Sequence, residues 1–250
     1  MIESKEIIAS QIEILRPVDW GADVMTGVTL RNQRLFPPHG LSLSKAQILT
    51  DNESKYHRLL LAERIGLKED TLQFQSQVHG SVVKRIFSQG EASESDGMIT
   101  NVPGIVLSTL LADCCGILLY DERNKAIGAI HSGWRGTHLG ISSEAIETMN
   151  REFGTRPEEV RAYLSPSASG KKYEVQKDVA DLFKTGVTQK DESHFLFDNR
   201  ACIKEQLIQK SGLLQKNITI SNECSISDSR FHSFRRDGVK SGRMCAFIGM

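Results

Sequence analysis

Three continuous apolar runs of strand length dominate the hydrophobic pattern of the chain, at Ile105–Leu111, Gly116–Tyr120 and Ala126–Ile130. Runs that do not alternate with polar residues are typical of strands covered on both faces. Shorter segments predict further strands at Leu72–Val78, Ser81–Phe87, Met98–Asn101, Val160–Leu164, Asn217–Ser221 and Cys245–Ile248. The polar stretch Ser88–Gly97 predicts a surface loop between two paired strands.

Four segments carry apolar residues at three- and four-residue intervals, which predicts helices. They are Glu53–Ile65, Ser142–Phe153, Gln176–Lys184 and Arg200–Lys210. A glycine closely follows each of them, as is common at helix C-termini, and Asp198 or Asn199 can cap the start of the fourth. The combination predicts an α/β (α+β) fold: one domain over residues 1–250, with mixed β-sheet structure flanked by helices.

Composition narrows the class of protein. The 250 residues include 31 basic and 31 acidic side chains, a formal net charge of zero, which argues against a nucleic-acid-binding protein with a strongly basic surface. No segment approaches the ~18 consecutive apolar residues of a transmembrane helix, so no membrane association is expected. Five cysteines, no CxxC pair and no signal-peptide pattern favour reduced thiols in the cytoplasm.

Two histidines and a thiol stand where apolar runs meet glycine-containing turns. His79 lies in Gln-Val-His-Gly, Cys114 in Ala-Asp-Cys-Cys, and His131 opens His-Ser-Gly-Trp-Arg-Gly. Two His and one Cys can hold Zn²⁺ and leave its fourth position open, as catalytic zinc requires. A hairpin formed by residues 116–130 would bring Cys114 and His131 to one sheet edge, and His79 would come from a neighbouring strand.

The residues themselves leave alternatives open at each position. Successive strand side chains point to opposite faces, so only one of Cys114 and Cys115 is expected to face a given pocket. Asp113 can orient a metal-bound imidazole, or it can be a turn or capping residue at the strand end. Without a metal, Cys114 can serve as the nucleophile of a cysteine hydrolase or amidase, with His131 as its base. A binding or scaffold protein with a vestigial site is a third possibility.

In order along the chain, the motifs resemble one family closely. Besides the three segments above, they are Ser-Asp-Gly at 95–97, Tyr-Glu-Val at 173–175, Phe-Arg-Arg-Asp-Gly at 234–238 and Gly-Arg-Met at 242–244. Over most of its length the chain is similar to the YfiH-like proteins, which are also described as laccase-domain or polyphenol-oxidoreductase-like proteins. Gly116 departs from the family, which usually has proline there.

The resemblance implies a zinc site made by His79, Cys114 and His131 in a mixed α/β domain. It implies phosphorolysis of adenosine, inosine or methylthioadenosine to the free base and ribose 1-phosphate, together with adenosine deamination. Some members are linked to editing of peptidoglycan precursors, which the cysteine amidase hypothesis would fit. The expected partners are a purine nucleoside and phosphate, and the oligomeric state is open.

The sequence also offers candidate side chains for binding the substrates, and it allows an alternative metal. Phosphate would be held by Arg31 or Arg236, because a planar guanidinium makes two parallel hydrogen bonds. The Trp134 and Phe234 rings are candidates to stack on a purine. Seven histidines without a His-x-His pair argue against a four-copper laccase centre, but one Cu²⁺ can occupy the same His/Cys site.

Overall fold

The computed structural model describes residues 2–68, 71–90 and 94–250. The helices are α1 (Ile2–Ser10), α2 (Asp51–Arg64), α3 (Trp134–His138), α4 (Ile141–Phe153), α5 (Lys177–Ala180), α6 (Asn199–Gln209) and α7 (Phe234–Asp237). The strands are β1 (Ile14–Leu15), β2 (Met25–Thr29), β3 (Leu72–Gln73), β4 (Val83–Arg85), β5 (Gly97–Thr100), β6 (Val106–Leu111), β7 (Cys115–Asp121), β8 (Ala126–Ser132), β9 (Arg161–Leu164), β10 (Glu174–Gln176), β11 (Val187–Gln189), β12 (His194–Phe197), β13 (Ile218–Ile220) and β14 (Met244–Gly249).

Two sheets carry most of the strands. The first has the order β1-β2-β14-β6-β3 and is antiparallel except for the β3–β6 pair. The second has the order β13-β9-β7-β8-β5-β4, with parallel pairs at its two edges. A small antiparallel sheet, β10-β12-β11, stands apart from both. The predicted mixed α/β fold is therefore confirmed, with three sheets flanked by helices.

The apolar faces explain why the two large sheets stack. Leu107 and Ala246 of the first sheet share a buried cluster with Leu118, Ile127 and Ala129 of the second. The outer face of the second sheet is covered by α4 and α6, and that of the first by α1 and α2. Covering both faces accounts for the continuous apolar runs in β6, β7 and β8.

Helix and strand positions largely follow the sequence pattern, with differences at specific boundaries. α2 begins with a capping box, in which Thr50 accepts from the Glu53 N–H and the Glu53 carboxylate accepts from Thr50. Asp198, one of the two residues predicted to cap this helix, caps α6 by accepting a hydrogen bond from the Ala201 N–H. The predicted helix Gln176–Lys184 is much shorter, since only α5 is helical there.

The strand predicted at Leu72–Val78 also ends early, because a side chain replaces the backbone ladder. The Gln77 amide donates to the Leu110 carbonyl at 2.9 Å and accepts from the Leu110 N–H at 2.7 Å. The chain is thereby held beside β6 while its backbone turns away at His79. Within the described residues, none of the helices is long and apolar enough to cross a membrane.

Candidate metal centre

His79 is presented by a tight turn between β3 and β4. Its φ of 61° lies in the left-handed region, which few side chains adopt without compensation. Here the N–H groups of Val78, His79 and Gly80 all donate to the carboxylate of Asp96, at 3.2, 3.0 and 2.7 Å. Three converging hydrogen bonds to one carboxylate hold the turn in this conformation.

His131 lies near the end of β8 and is buried. Its Nδ1 is 2.8 Å from Oδ1 of Asp96, and its main-chain N–H donates to the Asp96 carbonyl. With Nδ1–H bonded to the carboxylate, Nε2 is left as the nitrogen that can bind a metal. Asp96 is itself completely buried and lies immediately before β5.

Cys114 lies immediately before β7, the strand that pairs with β8 in the predicted hairpin. β7 and β8 pair with Cys115 opposite Ser132 and Gly116 opposite His131, so Cys114 lies at the same end as His131. Cys114 lines a cavity, whereas Cys115 is fully buried in the core beneath the sheet. The two thiols thus face different environments, as their adjacent positions predict.

The three donor side chains meet at one point. Their ligand atoms all lie within 4.8 Å of one another, and the rings of His79 and His131 are edge to face with centroids 4.8 Å apart. A Cβ at Gly133 would lie 2.9 Å from Cys114 Sγ and 3.4 Å from a carbon of the His79 ring. Glycine at this position therefore leaves room for the cluster, and the cluster can hold a metal ion.

Electrostatics within the cluster favour a thiolate. Burial raises the pKa of Cys114, but the charges and hydrogen bonds of His131 and His79 outweigh it and lower this pKa to about 6. Burial lowers the pKa of His131, but the Cys114 charge and the Asp96 hydrogen bond raise it to about 9. The thiolate is the form of cysteine that binds metals, so the lowered pKa of Cys114 favours its metal-binding form.

The cluster opens into a cavity of about 990 Å³. Aromatic side chains line part of its wall: Trp134 at the start of α3, Tyr173 before β10, and Phe234 at the start of α7. Trp134 and Phe234, which the sequence offers as purine-stacking candidates, thus both reach the cavity. Tyr173 belongs to the Tyr-Glu-Val motif of the resemblance, and the fold places it beside the site.

Asp113 does not contact either imidazole. Its backbone has a φ of 90°, and its carboxylate accepts from Ser225 Oγ at 2.7 Å and from the Arg235 N–H at 2.7 Å. The carboxylate that orients His131 is Asp96, which belongs to the Ser-Asp-Gly motif at 95–97. Asp113 instead links the turn before Cys114 to Ser225 and to α7.

Arg31 and Arg236, expected to hold phosphate, lie outside the cavity. Arg31 donates to the His39 carbonyl at 2.9 Å and pairs with Asp237. Arg236 donates to main-chain carbonyls, including that of Phe231 at 2.8 Å, and also pairs with Asp237. Both guanidinium groups are occupied by structural contacts, and a role for either residue in binding phosphate stays a prediction.

Three other arginines line the cavity: Arg58 from α2, Arg235 from α7, and Arg243 immediately before β14. Arg235 lies over the Tyr173 ring at 5.0 Å, and Arg58 lies over the Phe74 ring at 4.1 Å. Arg58 has no motif around it in the sequence, because it is one of several charged residues on a helix. Only the packing of α2 against the first sheet brings it to the site.

The fold and the site together define an α/β protein with a two-histidine, one-cysteine cluster, able to hold a metal ion, at the end of a central hairpin. A family described as multi-copper polyphenol oxidoreductase laccase matches residues 39–250. The chain belongs to this family, the YfiH type expected from the motifs.

Individual relatives agree with this assignment. A purine nucleoside phosphorylase of Deinococcus radiodurans is 33% identical over 200 residues, covering 78% of this chain and 76% of the relative. Purine nucleoside phosphorylase YlmD of Bacillus subtilis is 26% identical over 91% of this chain and 89% of its own length. The crystal structure of the hypothetical protein YfiH from Bacillus licheniformis has the same fold, with a TM-score of 0.85 and 24% identity over 91% of this chain and 92% of that one.

Proposed function

We propose that the chain is a single-domain, zinc-dependent purine nucleoside phosphorylase acting on adenosine, inosine or methylthioadenosine. The observation that carries the proposal is the juxtaposition of the His79–Cys114–His131 cluster with an aromatic and arginine-lined cavity. Relatives named purine nucleoside phosphorylases, at 26–33% identity, support it at the level of the family. Five free thiols fit a cytoplasmic location.

His79, Cys114 and His131 would hold the zinc ion. Two imidazoles and a thiolate suit zinc in ligand type, and three protein ligands are the usual number for a catalytic site. When bound there, zinc supplies Lewis-acid stabilisation of negative charge on a substrate atom. Asp96 fixes the ring of His131 and the turn of His79, so the ligands are preorganised before the metal binds.

The proposed reaction exchanges one bond at C1′ of the ribose for another. A phosphate oxygen forms a bond to C1′, while the C1′–N9 bond breaks and its electron pair stays on the purine. The departing purine takes up a proton, which gives the free base and ribose 1-phosphate. The chain must therefore bind the phosphate and the nucleoside side by side and supply a hydrogen-bond donor to the leaving base.

Aromatic side chains in the cavity suit the purine. Trp134 is half-buried and Phe234 is 48% exposed, so both present ring surface to a planar ligand. Burial and the nearby charge of Cys114 raise the pKa of Tyr173 to about 12. Its hydroxyl therefore stays protonated at neutral pH and can donate a hydrogen bond to a purine nitrogen.

Adenosine deamination is proposed as a second activity of the same site. Zinc deaminases use a carboxylic acid beside the metal to move protons, and Asp113 is the carboxylate that lines this cavity among the described residues. Both of its oxygens already accept hydrogen bonds. Phosphorolysis, which needs no such carboxylate at the metal, fits the geometry better.

A nucleoside panel tests the proposal directly. Metal-loaded protein is incubated with adenosine, inosine or methylthioadenosine, with and without phosphate, and products are separated by chromatography. We expect free base and ribose 1-phosphate only when phosphate is present, and inosine from adenosine if deamination also occurs. Absence of all of these products with every nucleoside would overturn the enzyme assignment.

A cysteine hydrolase or amidase, of the kind that could edit peptidoglycan precursors, is the second candidate. The observation that favours it is the chain of contacts from Cys114 through His131 to Asp96, which matches a nucleophile, a base and an orienting carboxylate. Metal content and thiol labelling separate the two functions. One zinc per chain with Cys114 protected from alkylation supports the phosphorylase, and metal-free protein with rapid alkylation supports the hydrolase.

Copper-dependent polyphenol oxidation is the least supported of the candidate functions, although the family description names it. A multi-copper centre needs several groups of ligands, and within the described part of the chain one group of three suitable side chains is found. A single Cu²⁺ at that group would be the alternative to zinc. Oxidation of a phenol by copper-loaded protein, compared with the Cys114→Ala variant, tests it.

A further inference from the structure

We propose that Asn199 is a positioning residue that fixes Trp134 as one wall of the cavity, acting through the turn between β8 and α3. That the ligand stacked on Trp134 is a purine rests on the proposed function. The position of the ring rests on hydrogen bonds that are independent of the reaction. The sequence offers Asn199 only as a possible cap of α6, and Asp198 takes that role.

The side-chain amide of Asn199 is buried and bonds to both ends of one short segment. Its Nδ2 donates to the Ser132 carbonyl at 2.8 Å, and its Oδ1 accepts from Thr137 Oγ1 at 2.7 Å. A carbonyl oxygen can only accept, so the amide nitrogen must face Ser132 and the amide oxygen Thr137. Asn199 is 4% exposed and lines the cavity. Its amide therefore anchors segment 132–137 to α6.

Two hydroxyl groups complete this network. Thr137 donates its one hydroxyl proton to Asn199, so in the 2.8 Å contact between Ser132 Oγ and Thr137 Oγ1 the serine is the donor. Ser132 and Thr137 are both completely buried. Gln206, which also lies on α6, donates to the Thr137 main-chain carbonyl at 2.7 Å. Thr137 is thus held by α6 through its side chain and through its backbone.

α3 depends on such contacts because its own sequence stabilises it weakly. The helix has five residues, its N-cap is Gly133, and no side chain caps its first turn. Gly136 lies in its interior, where glycine is less favourable than alanine. A Cβ at Gly136 would lie 3.2 Å from the Gly80 carbonyl oxygen, so α3 packs closely on the turn that carries His79. The helix therefore lies between that turn and α6.

Trp134 is the first residue of α3, and its position follows that of the turn. Within the described chain its ring makes no hydrogen bond. The ring packs against a buried cluster that includes Val175, and it lines the cavity. Its backbone follows Ser132 by two residues, and the bond from Asn199 fixes the Ser132 carbonyl. Without that bond the start of α3 is free to shift, and the ring shifts with it.

His131 has separate support, although it lies beside Ser132. Asp96 bonds to its Nδ1 and to its main-chain N–H. β8 is also paired with β7 on one side and with β5 on the other. Loss of the Asn199 bonds should therefore move Trp134 and leave the metal affinity nearly unchanged. A general loosening of the site would change both.

The fluorescence of Trp134 tests the proposal without any assumption about the reaction. The chain has one other tryptophan, Trp20, which stacks on Tyr120. Trp20→Phe keeps a ring there and leaves Trp134 as the single emitter. Acrylamide quenching is measured in this parent protein and after adding Asn199→Leu or Thr137→Val. We expect each change to raise the quenching constant about twofold or more, because the turn opens more often to solvent.

Three further features of the variants make the result specific. Thr137 itself does not line the cavity, so an effect of Thr137→Val must reach Trp134 through the network. Thr137→Ser restores the hydroxyl and should behave as the parent. Gln206→Met is the matched control, because it removes a bond from α6 to Thr137 without touching Ser132. We expect it to lower stability in urea unfolding and to leave the quenching constant unchanged.

Several results would overturn the proposal. One is an unchanged quenching constant in both Asn199→Leu and Thr137→Val. Another is an equal rise in Gln206→Met, which would mean that α6 packing in general, and not the Asn199 amide, holds the ring. A loss of zinc affinity of more than about tenfold in Thr137→Val would also do so, because His131 would then depend on the same network. If Asn199→Leu does not fold, Thr137→Val decides.

Kinetics of the same substitutions in protein that keeps Trp20 separate the positioning role from the proposed function. If nucleosides are phosphorolysed and Thr137→Val raises the nucleoside KM about tenfold with the phosphate KM unchanged, both stand. If phosphorolysis occurs and the nucleoside KM does not change, Trp134 is not a wall for the substrate, and the proposal fails while the function remains. If no nucleoside reacts but Trp134 becomes more easily quenched, the positioning role stands and the function is wrong.

Discussion

The buried carboxylate of Asp96 accepts a hydrogen bond from Nδ1 of His131 at 2.8 Å. The same carboxylate accepts the N–H of His79 and of both residues beside it. One side chain thus positions two of the three candidate metal ligands, which come from segments about fifty residues apart in the sequence. Hydrogen bonds and ion pairing to these groups lower the pKa of Asp96 against the opposing effect of burial.

Replacing Asp96 with asparagine should weaken zinc binding by about 10- to 100-fold, because the His131 ring and the His79 turn lose their common acceptor. Competition with a chromophoric chelator measures the affinity. Asp121→Asn is the matched control: Asp121 is equally buried, but it lies at the other end of the hairpin and bonds to Asn124. Equal zinc affinity in Asp96→Asn and wild-type protein would contradict the positioning role.

Cys114→Ala should abolish zinc binding and activity, whereas Cys115→Ala should retain both. Cys114 contributes one of three ligand atoms, while Cys115 is core, with burial raising its pKa to about 12. Loss of a small buried side chain from the core costs about 1 kcal/mol of stability and leaves the site in place. Elemental analysis and nucleoside turnover are compared for the two variants. His79→Ala and His131→Ala should behave like Cys114→Ala. Full activity in Cys114→Ala together with loss of activity in Cys115→Ala would show that Cys115, and not Cys114, is the functional thiol.

The central hairpin shows what the sequence can predict. Its two apolar runs and the polar turn between them define β7 and β8, so the approach of Cys114 to His131 follows from local pattern alone. The same pattern fails at Leu72–Val78, since the side-chain pairing of Gln77 with Leu110 is a contact between distant segments. Periodicity carries no information about such contacts.

The sequence predicts which three donor side chains come together in the candidate site, but it does not predict their surroundings. His79, Cys114 and His131 stand out because of their residue types and the glycine turns around them. Asp96 and Arg243 lie in motifs of the resemblance, but their positions beside the cluster do not follow from the sequence, because acidic and basic residues are common at loop ends. Asp113, beside a ligand in sequence, turns away from the imidazoles, and Arg58 reaches the cavity only through helix packing. Neighbours in sequence are poor guides to neighbours in a folded site.

Arg236→Gln should destabilise the fold without changing the KM for phosphate. Its guanidinium donates to the carbonyls of Ser225 and Phe231 at 2.7 and 2.8 Å and pairs with Asp237, so the substitution leaves buried acceptors unsatisfied. We expect a loss of about 3 kcal/mol in the free energy of unfolding. Arg230→Gln, which breaks a more exposed pair with Asp228, should cost less than about 1 kcal/mol.

Urea unfolding and phosphate kinetics on the same Arg236→Gln and Arg230→Gln preparations separate stability from substrate binding. A selective rise in the phosphate KM of Arg236→Gln, with unchanged stability, would identify Arg236 as a substrate residue. That outcome would also require its guanidinium to leave the carbonyls it contacts in the structure.

Tyr173→Phe should lower kcat by about tenfold, because the hydroxyl that donates to the leaving purine is removed while the ring remains. Tyr56→Phe, on the exposed face of α2, is the control and should behave as wild type. Turnover with inosine at saturating phosphate measures the effect. Since the pKa of Tyr173 is about 12, wild-type kcat should show no ionisation of this residue below pH 9. Unchanged kcat in Tyr173→Phe would mean that another group protonates the base.

Acid should destabilise the protein through His232. Burial lowers the pKa of this residue to about 4, with the Leu41 hydrogen bond opposing the shift. Its Nε2 is 2.8 Å from the Leu41 carbonyl, and its Nδ1 is buried without a partner. The charged groups that act on it are Arg31, Arg243 and Asp237. Protonation would therefore place a charge on a ring nitrogen that has no acceptor.

The sign of the effect follows from the two states. Unfolded His232 takes up a proton near pH 6.5 and the folded residue only near pH 4, so stability falls as the pH drops between these values. The full contribution is about 3 kcal/mol. His232→Gln keeps a donor for the Leu41 carbonyl but cannot titrate. Urea unfolding gives the free energy of unfolding of wild type and variant at pH 7 and pH 4.5. The difference between the two proteins removes the effects of other titrating groups. We expect wild type to lose more stability than His232→Gln across this range, and equal losses would show that His232 does not contribute.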